Sequence, residues 1–201
     1  MHTLETVLGV EHLGSSLLPA LAALADDRQW RVRQATIQYI PQLSKQLGPG
    51  FVEEYFLPLF VNWLQDCVHA ICESAIDSAR ELAIHFGREW ATTQLVPKVL
   101  LARQPANYRD RLTWLATVRA LAPTVGSDFF CTTLLPSVLA LASDAVPNVR
   151  FNVCKTLQSL MPLLNEQPPV VAMHVIPKLQ ELTLDKDVDV KDFANKSILA
   201  F

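Results

Sequence analysis

Glycine is scarce in this chain, with 6 among 201 residues. All-β sandwiches and barrels rely on glycine at their many turns, so that class is disfavoured. Long apolar runs are missing too. None approaches the roughly 20 residues that cross a bilayer, and the first 20 positions hold Glu5 and Glu11 with no basic stretch ahead of an apolar core, which argues against a cleaved secretion signal. No block of five like charges occurs and the formal net charge is -3. That balance selects neither nucleic acid nor an anionic membrane as the main partner. Catalytic signatures are absent: there is no glycine-rich phosphate loop, no GxSxG elbow and no HExxH. The expectation is a protein that is not an enzyme and takes no cofactor.

Metal-like spacings fail on inspection. Cys67-x-His69-x-x-Cys72 offers three ligands and no second pair nearby, where structural zinc needs four. Asp185, Asp187 and Asp189 imitate the start of a calcium loop, but Val190 replaces the turn glycine and Lys196 the bidentate glutamate. The histidines at 2, 12, 69, 85 and 174 are scattered and read as helix-surface or core residues. The four cysteines, Cys67, Cys72, Cys131 and Cys154, fall in or beside apolar helical patterns. They read as free, mostly buried thiols of a cytosolic or nuclear protein.

Against these absences stands one strong periodicity. Prolines occur at 19, 58, 97, 136 and 177, with spacings of 39, 39, 39 and 41, each after two apolar residues. Eight residues later come Asp27, Asp66, Pro105, Asp144 and Asp185, and fourteen later Arg33, Cys72, Arg111, Arg150 and Lys191. Thirteen after the proline lie Val32, Ile71, Asp110, Val149 and Val190, and twenty-four after it Leu43, Leu82, Leu121, Leu160 and Phe201. A fixed period near 40 marks a stacked repeat array, in which each unit buries its apolar face against its neighbours.

Apolar residues recur at helical spacing on both sides of the aspartate. In the first repeat one stripe is Leu17, Leu18, Leu21 and Leu24, and another is Val32, Tyr39, Ile40 and Leu43. Each unit is therefore two helices joined by a turn, with the aspartate placed to accept backbone N–H groups where the second helix starts. The repeated proline lies within the first helix, where it removes one hydrogen bond and kinks it. Gly48-Pro49-Gly50, Gly87, Gly126 and Asn165 to Pro169 link successive repeats. The division that follows is 1–10 as the remnant of a preceding repeat, then 11–47, 48–86, 87–125, 126–164 and 165–201. The two charged columns predict a ladder in which each basic residue bridges aspartates of its own and the next repeat: Asp27, Arg33, Asp66, Arg111, Asp144, Arg150, Asp185 and Lys191.

Proline followed by aspartate at +8, valine at +13 and arginine or lysine at +14 resembles HEAT repeats. The stretches Trp30-Arg31-Val32-Arg33, Pro147 to Val153, Asp185 to Lys191, Phe86 to Trp90 and Asn107-Tyr108 resemble the scaffold (A, or 65 kDa regulatory) subunits of type 2A protein serine/threonine phosphatases, at their C-terminal repeats. The resemblance implies an all-α fold, an α-solenoid wound as a right-handed superhelix of about five HEAT repeats. It also implies a non-catalytic regulatory scaffold whose intra-repeat turns dock a phosphatase catalytic subunit. B-type regulatory subunits would be held mainly by more N-terminal repeats. The contact residues it implies are Trp30, Arg31, His69, Tyr108, Val146, Asn148, Leu184 and Asp187. A second reading is a transport-type array that binds cargo on the concave face of its second helices. There the chain shows only short polar residues such as Gln34, Gln38, Ser74, Ser78, Thr117 and Lys155.

Overall fold

A computed structural model describes residues 20–21, 23–101 and 107–201. The readings placed on Leu17, Leu18, Pro105 and residues 1–10 lie outside them. All regular structure among the described residues is helical, an all-α array of the solenoid class. The chain divides into two compact units, Met1–Lys98 and Val99–Phe201. The first holds α1 (Trp30–Leu47), α2 (Leu57–Leu64) and α3 (His69–Trp90), and the boundary falls within α4 (Val96–Leu101). The second holds α5 (Tyr108–Val125), α6 (Leu135–Ala140), α7 (Pro147–Ser159), α8 (Ile176–Leu182) and α9 (Val188–Ala200).

Within the first unit α1 packs along α3, and α2 packs on α3. Within the second, α7 contacts both α5 and α9, and α8 packs on α9. The apolar columns form the core of each unit: Ile71, Val149 and Val190 at +13, and Leu43, Leu82, Leu121 and Leu160 at +24 are all buried. Two details of the stripe differ from expectation. Tyr39 is 49% exposed and Leu24 42% exposed, and the inward face of α1 is instead Ile37, Ile40 and Leu43 with Pro41 and Ser44.

The proline kink takes a specific form. One π-helical turn precedes each of the four repeated prolines among the described residues: Val52–Phe56, Ala91–Leu95, Phe130–Leu134 and Val171–Val175. The residue just before the proline donates its N–H five residues back, Leu57 to Val52, Val96 to Ala91, Leu135 to Phe130 and Ile176 to Val171. In a regular α-helix the proline ring collides with the carbonyl four residues earlier. A wider turn relieves that collision at the cost of one residue's worth of register.

The few glycines sit where repeats join. Gly48, Gly87 and Gly126 have φ of 79°, 85° and 83°, with ψ of 177°, 177° and 163°. This region is open to glycine and closed to other residues without strain. Gly87 interrupts the helical run of α3, and its reversal lets one repeat end and the next begin in a single residue. Before the fifth repeat the longer Asn165–Pro169 segment takes over, after the short turn Met161–Leu164.

The expected polar face of the second helices is split: Gln38 and Lys155 are exposed and Gln34 is half-buried, while its hydroxyl residues are interior. Ser74, Ser78 and Thr117 are 5%, 6% and 0% exposed. Ser78, Thr117, Thr156 and Ser197 share one register, twenty residues after the proline, and all four are buried. Small hydroxyl residues allow close approach there: Ser197 Oγ on α9 donates to Cys154 O on α7 at 3.4 Å and to Phe193 O at 2.8 Å. Thr117 Oγ1 donates to Thr113 O at 2.8 Å. Thr156 Oγ1 is buried and has no partner among the described residues. Of the cysteines, Cys72 and Cys154 are buried, Cys131 is half-buried and Cys67 is exposed. His85 and His174 lie on the surface.

Two stability outcomes follow. An added Cβ at Gly87 would meet nothing within 4 Å, so Gly87→Ala isolates backbone strain and lowers stability by about 1–3 kcal/mol. Gly50→Ala, in a helical turn with the same open space, is neutral or stabilising. Thermal denaturation of the pair checks this; equal behaviour would remove the strain argument. Thr156→Val relieves an unpaired hydroxyl and raises stability by about 1 kcal/mol, whereas Thr117→Val loses a made bond. Urea titration distinguishes the two.

Candidate binding ridge

In four of the five repeats the turn between the two helices is shaped by its aspartate. Asp27, Asp66, Asp144 and Asp185 each accept the N–H two residues on through Oδ1, from Gln29, Val68, Val146 and Asp187, at 2.7, 2.8, 2.9 and 2.9 Å. This local closure starts the second helix and turns the intervening residues outward.

Three of these carboxylates, Asp66, Asp144 and Asp185, also receive the arginine of the preceding repeat. Arg33 reaches Asp66 through Nε at 3.1 Å and Nη2 at 2.8 Å. Arg150 holds Asp185 through Nε at 2.6 Å and Nη2 at 2.7 Å. Arg111 meets Asp144 with Nε at 2.7 Å and Nη2 at 3.0 Å. Three rungs form among the described residues. The own-repeat rung is a backbone carbonyl, not a carboxylate: Arg33 Nη1 donates to Asp27 O at 2.8 Å and Arg150 Nη1 to Asp144 O at 2.7 Å. The carboxylate is already used in the turn and across the repeat boundary, while the carbonyl faces the guanidinium. These pairs are nearly enclosed, with side chains 7–15% exposed. The hydrogen bond from Arg150 holds the Asp185 carboxyl below its ordinary 3.8, and Asp185 in turn raises Arg150. Cys72 occupies the basic column of the second repeat, its thiol 3.5 Å from Asp66 O and 3.6 Å from Leu64 O. Lys191 is half-buried, and among the described residues no carboxylate pairs with it.

Between these fixed points lies the ridge. Trp30, His69, Tyr108, Pro147 and Val188 are each the first residue of a second helix. In the first unit Trp30 is half-buried, and the exposed Arg31 stacks on it, its guanidinium carbon 4.6 Å from the ring centroid. His69 is 81% exposed, with Nε2 3.3 Å from Glu73 Oε1. In the second unit Tyr108, Val146, Asn148 and Asp187 line one open groove of about 600 Å³ with Phe151 and Asp189. Leu184, 84% exposed, belongs to an adjoining groove of about 690 Å³ beside the Arg150–Asp185 rung, and Asp187 borders both. Phe151 and Asp189 were not anticipated. Phe151 sits next to a ladder arginine and Asp189 next to the first residue of α9, the register that also carries Arg31, so column position was the available signal. Among the described residues no three His, Cys, Asp or Glu side chains gather as metal ligands would.

Parts of the chain are similar to known proteins. Residues 1–102 match the family described as PIK3R4-like, middle domain, and residues 134–164 match the HEAT repeat. The chain is 37% identical over 119 residues to the regulatory A-subunit of protein phosphatase PP2A from Saccharomyces cerevisiae, covering 56% of this chain and 19% of that protein. It is 44% identical over 120 residues to the A beta isoform of the serine/threonine-protein phosphatase 2A 65 kDa regulatory subunit of Homo sapiens, covering 58% and 20%. The chain thus spans about a fifth of the length of these relatives. The crystal structure of Cex1p superposes with a TM-score of 0.70 at 12% identity, over 94% of this chain and 37% of that one, which speaks for the fold alone.

The ladder makes a pH-dependent prediction. Because the folded Asp185 carboxyl titrates below its ordinary value, the stability it lends is complete above about pH 4 and is lost as pH falls through the lower folded value. Asp185→Asn should cost about 3 kcal/mol at neutral pH, since it strands a nearly buried guanidinium. The gap from wild type should close as pH falls toward about 2. Denaturant titrations across that range measure it; a gap independent of pH would mean the charge pair is not the source.

Proposed function

We infer function from kinship: the chain belongs to the PIK3R4-like, middle domain family, and its HEAT repeats are of the kind found in the regulatory A-subunits of type 2A phosphatases. On that footing we propose that it is a non-catalytic regulatory scaffold of a protein serine/threonine phosphatase, docking the catalytic subunit on its turn ridge. The observation that carries this reading is the ridge in the second unit, where Tyr108, Val146, Asn148 and Asp187, from the turns of three successive repeats, converge on one groove. Trp30 with Arg31 stacked on it is the corresponding anchor in the first unit. A large aromatic and an arginine are the residue types that dominate interface energies. The cargo-carrier alternative keeps fewer side chains on the second-helix face, where Ser74, Ser78 and Thr117 are buried and Gln38 and Lys155 remain exposed.

The test combines this chain with the purified catalytic subunit of a type 2A phosphatase. Trp30→Ala with Arg31→Ala should weaken binding by about tenfold or more, read by calorimetry, while circular dichroism stays unchanged. Undiminished affinity would reject the ridge as the docking surface.

A further inference from the structure

The groove of the second unit is lined by charge of one sign. Asp187 and Asp189 border it, and neither lysine nor arginine does. Asp187 commits one oxygen to its own helix, Oδ1 accepting the N–H groups of Asp189 and Val190 at 3.0 and 3.2 Å. Among the described residues no donor reaches its second oxygen, and no cation pairs with the exposed Asp189. Of the nearby cations, Arg150 holds Asp185 outside the groove, and the Lys155 ammonium lies 5.7 Å from the centroid of the groove-lining Phe151 ring without itself bordering the groove. The remaining lining is a Tyr108 side chain left 43% exposed, the Phe151 ring, and the apolar surfaces of Val146 and Pro147. Asn148 turns its side-chain oxygen to Asn152 Nδ2 at 3.0 Å.

A surface of carboxylate acceptors beside aromatic and aliphatic faces complements a donor-only cation on an apolar stem. Guanidinium fits better than ammonium, because it stacks flat on a ring while its edge donates to carboxylates. An acidic or purely apolar segment would leave the two carboxylates repelled or desolvated without a partner. The volume of about 600 Å³ exceeds one side chain, so the residues flanking the arginine enter with it.

We propose that this groove seats an arginine of the docked partner, its guanidinium against Tyr108 and paired with Asp189 and Asp187. The inference rests on this ridge docking a phosphatase catalytic subunit, and it adds the chemistry of one contact. Asp189 is the residue to change, since Asp187 also caps α9. Affinity of the whole chain for the purified catalytic subunit is measured for wild type, Asp189→Lys and the control Asp192→Lys, which is exposed on α9 outside the groove. Asp189→Lys should weaken binding roughly fivefold at low salt, less at high salt, with the control near wild type. Equal affinities for wild type and Asp189→Lys would overturn the arginine seat and leave docking standing. If wild type does not bind, docking itself fails, and the groove is then decided by amide shifts on titration with acetyl-Gly-Arg-Gly-amide and its citrulline counterpart. Shifts at Tyr108, Asn148 and Asp189 with the arginine peptide alone sustain the seat; none, or equal shifts with citrulline, overturn it.

Discussion

Asp66, Asp144 and Asp185 each serve two structures at once. In each, Oδ1 closes the turn of its own repeat, and the same carboxylate receives the arginine of the repeat before. The shape of a turn and the docking of one repeat on the next are therefore set by a single group. Losing an aspartate would open a turn and strand a nearly buried guanidinium in the same event, which is why such pairs cost more to break than they contribute when made. The chain handles its one interruption consistently. Cys72 stands where a basic residue would, and Pro105 where the next aspartate would, so both ionic members of that rung are dropped together. Cys72 still keeps the local contact, thiol to Asp66 O, that the arginines make with their own turn.

The backbone imposes a second constraint of equal regularity. A proline inside a helix must find room for its ring, and four successive repeats do so with one π turn ending two residues earlier. Three links between repeats then use a glycine with positive φ to end one helix and begin the next. Proline widens, glycine reverses, and the apolar columns bury what lies between. The small number of glycines follows from this division of labour, since helical turns closed by aspartate need none.

Much of this was legible from residue order because it is local or periodic. The repeat, the helix pair, the ion-pair columns and the buried positions at +13 and +24 all depend on spacing, and spacing survives without coordinates. What escaped depends on neighbours in space. Ser78, Thr117, Thr156 and Ser197 look like solvent-facing residues by type, yet they are buried where second helices approach each other. Tyr39 looks like core by type, yet it is 49% exposed. Size and hydroxyl count could not say which face of a second helix meets its neighbour. Similarly, the arginines were expected to bridge two carboxylates, and geometry gave one of those places to a backbone carbonyl.

The separation between structural and binding residues is finer than the repeat itself. Positions +8, +13 and +14 hold the turn, the core contact and the ladder. Positions +10 to +12 lie between them and face outward at the start of the second helix. At +10 the side chains of Asn107 and Asp187 cap their helices, whereas the first residue of the helix varies freely in type, being Trp30, His69, Tyr108, Pro147 and Val188 in turn. An interface grafted there can change without disturbing folding, because its side chains are supported from both sides by a frame that does not include them. The +12 position shows the range, with exposed Arg31 in the first unit and exposed Asp189 in the second. Under the docking proposed above, a constant frame carrying a variable row of side chains would let sequence at a few exposed sites, rather than the fold, select the partner.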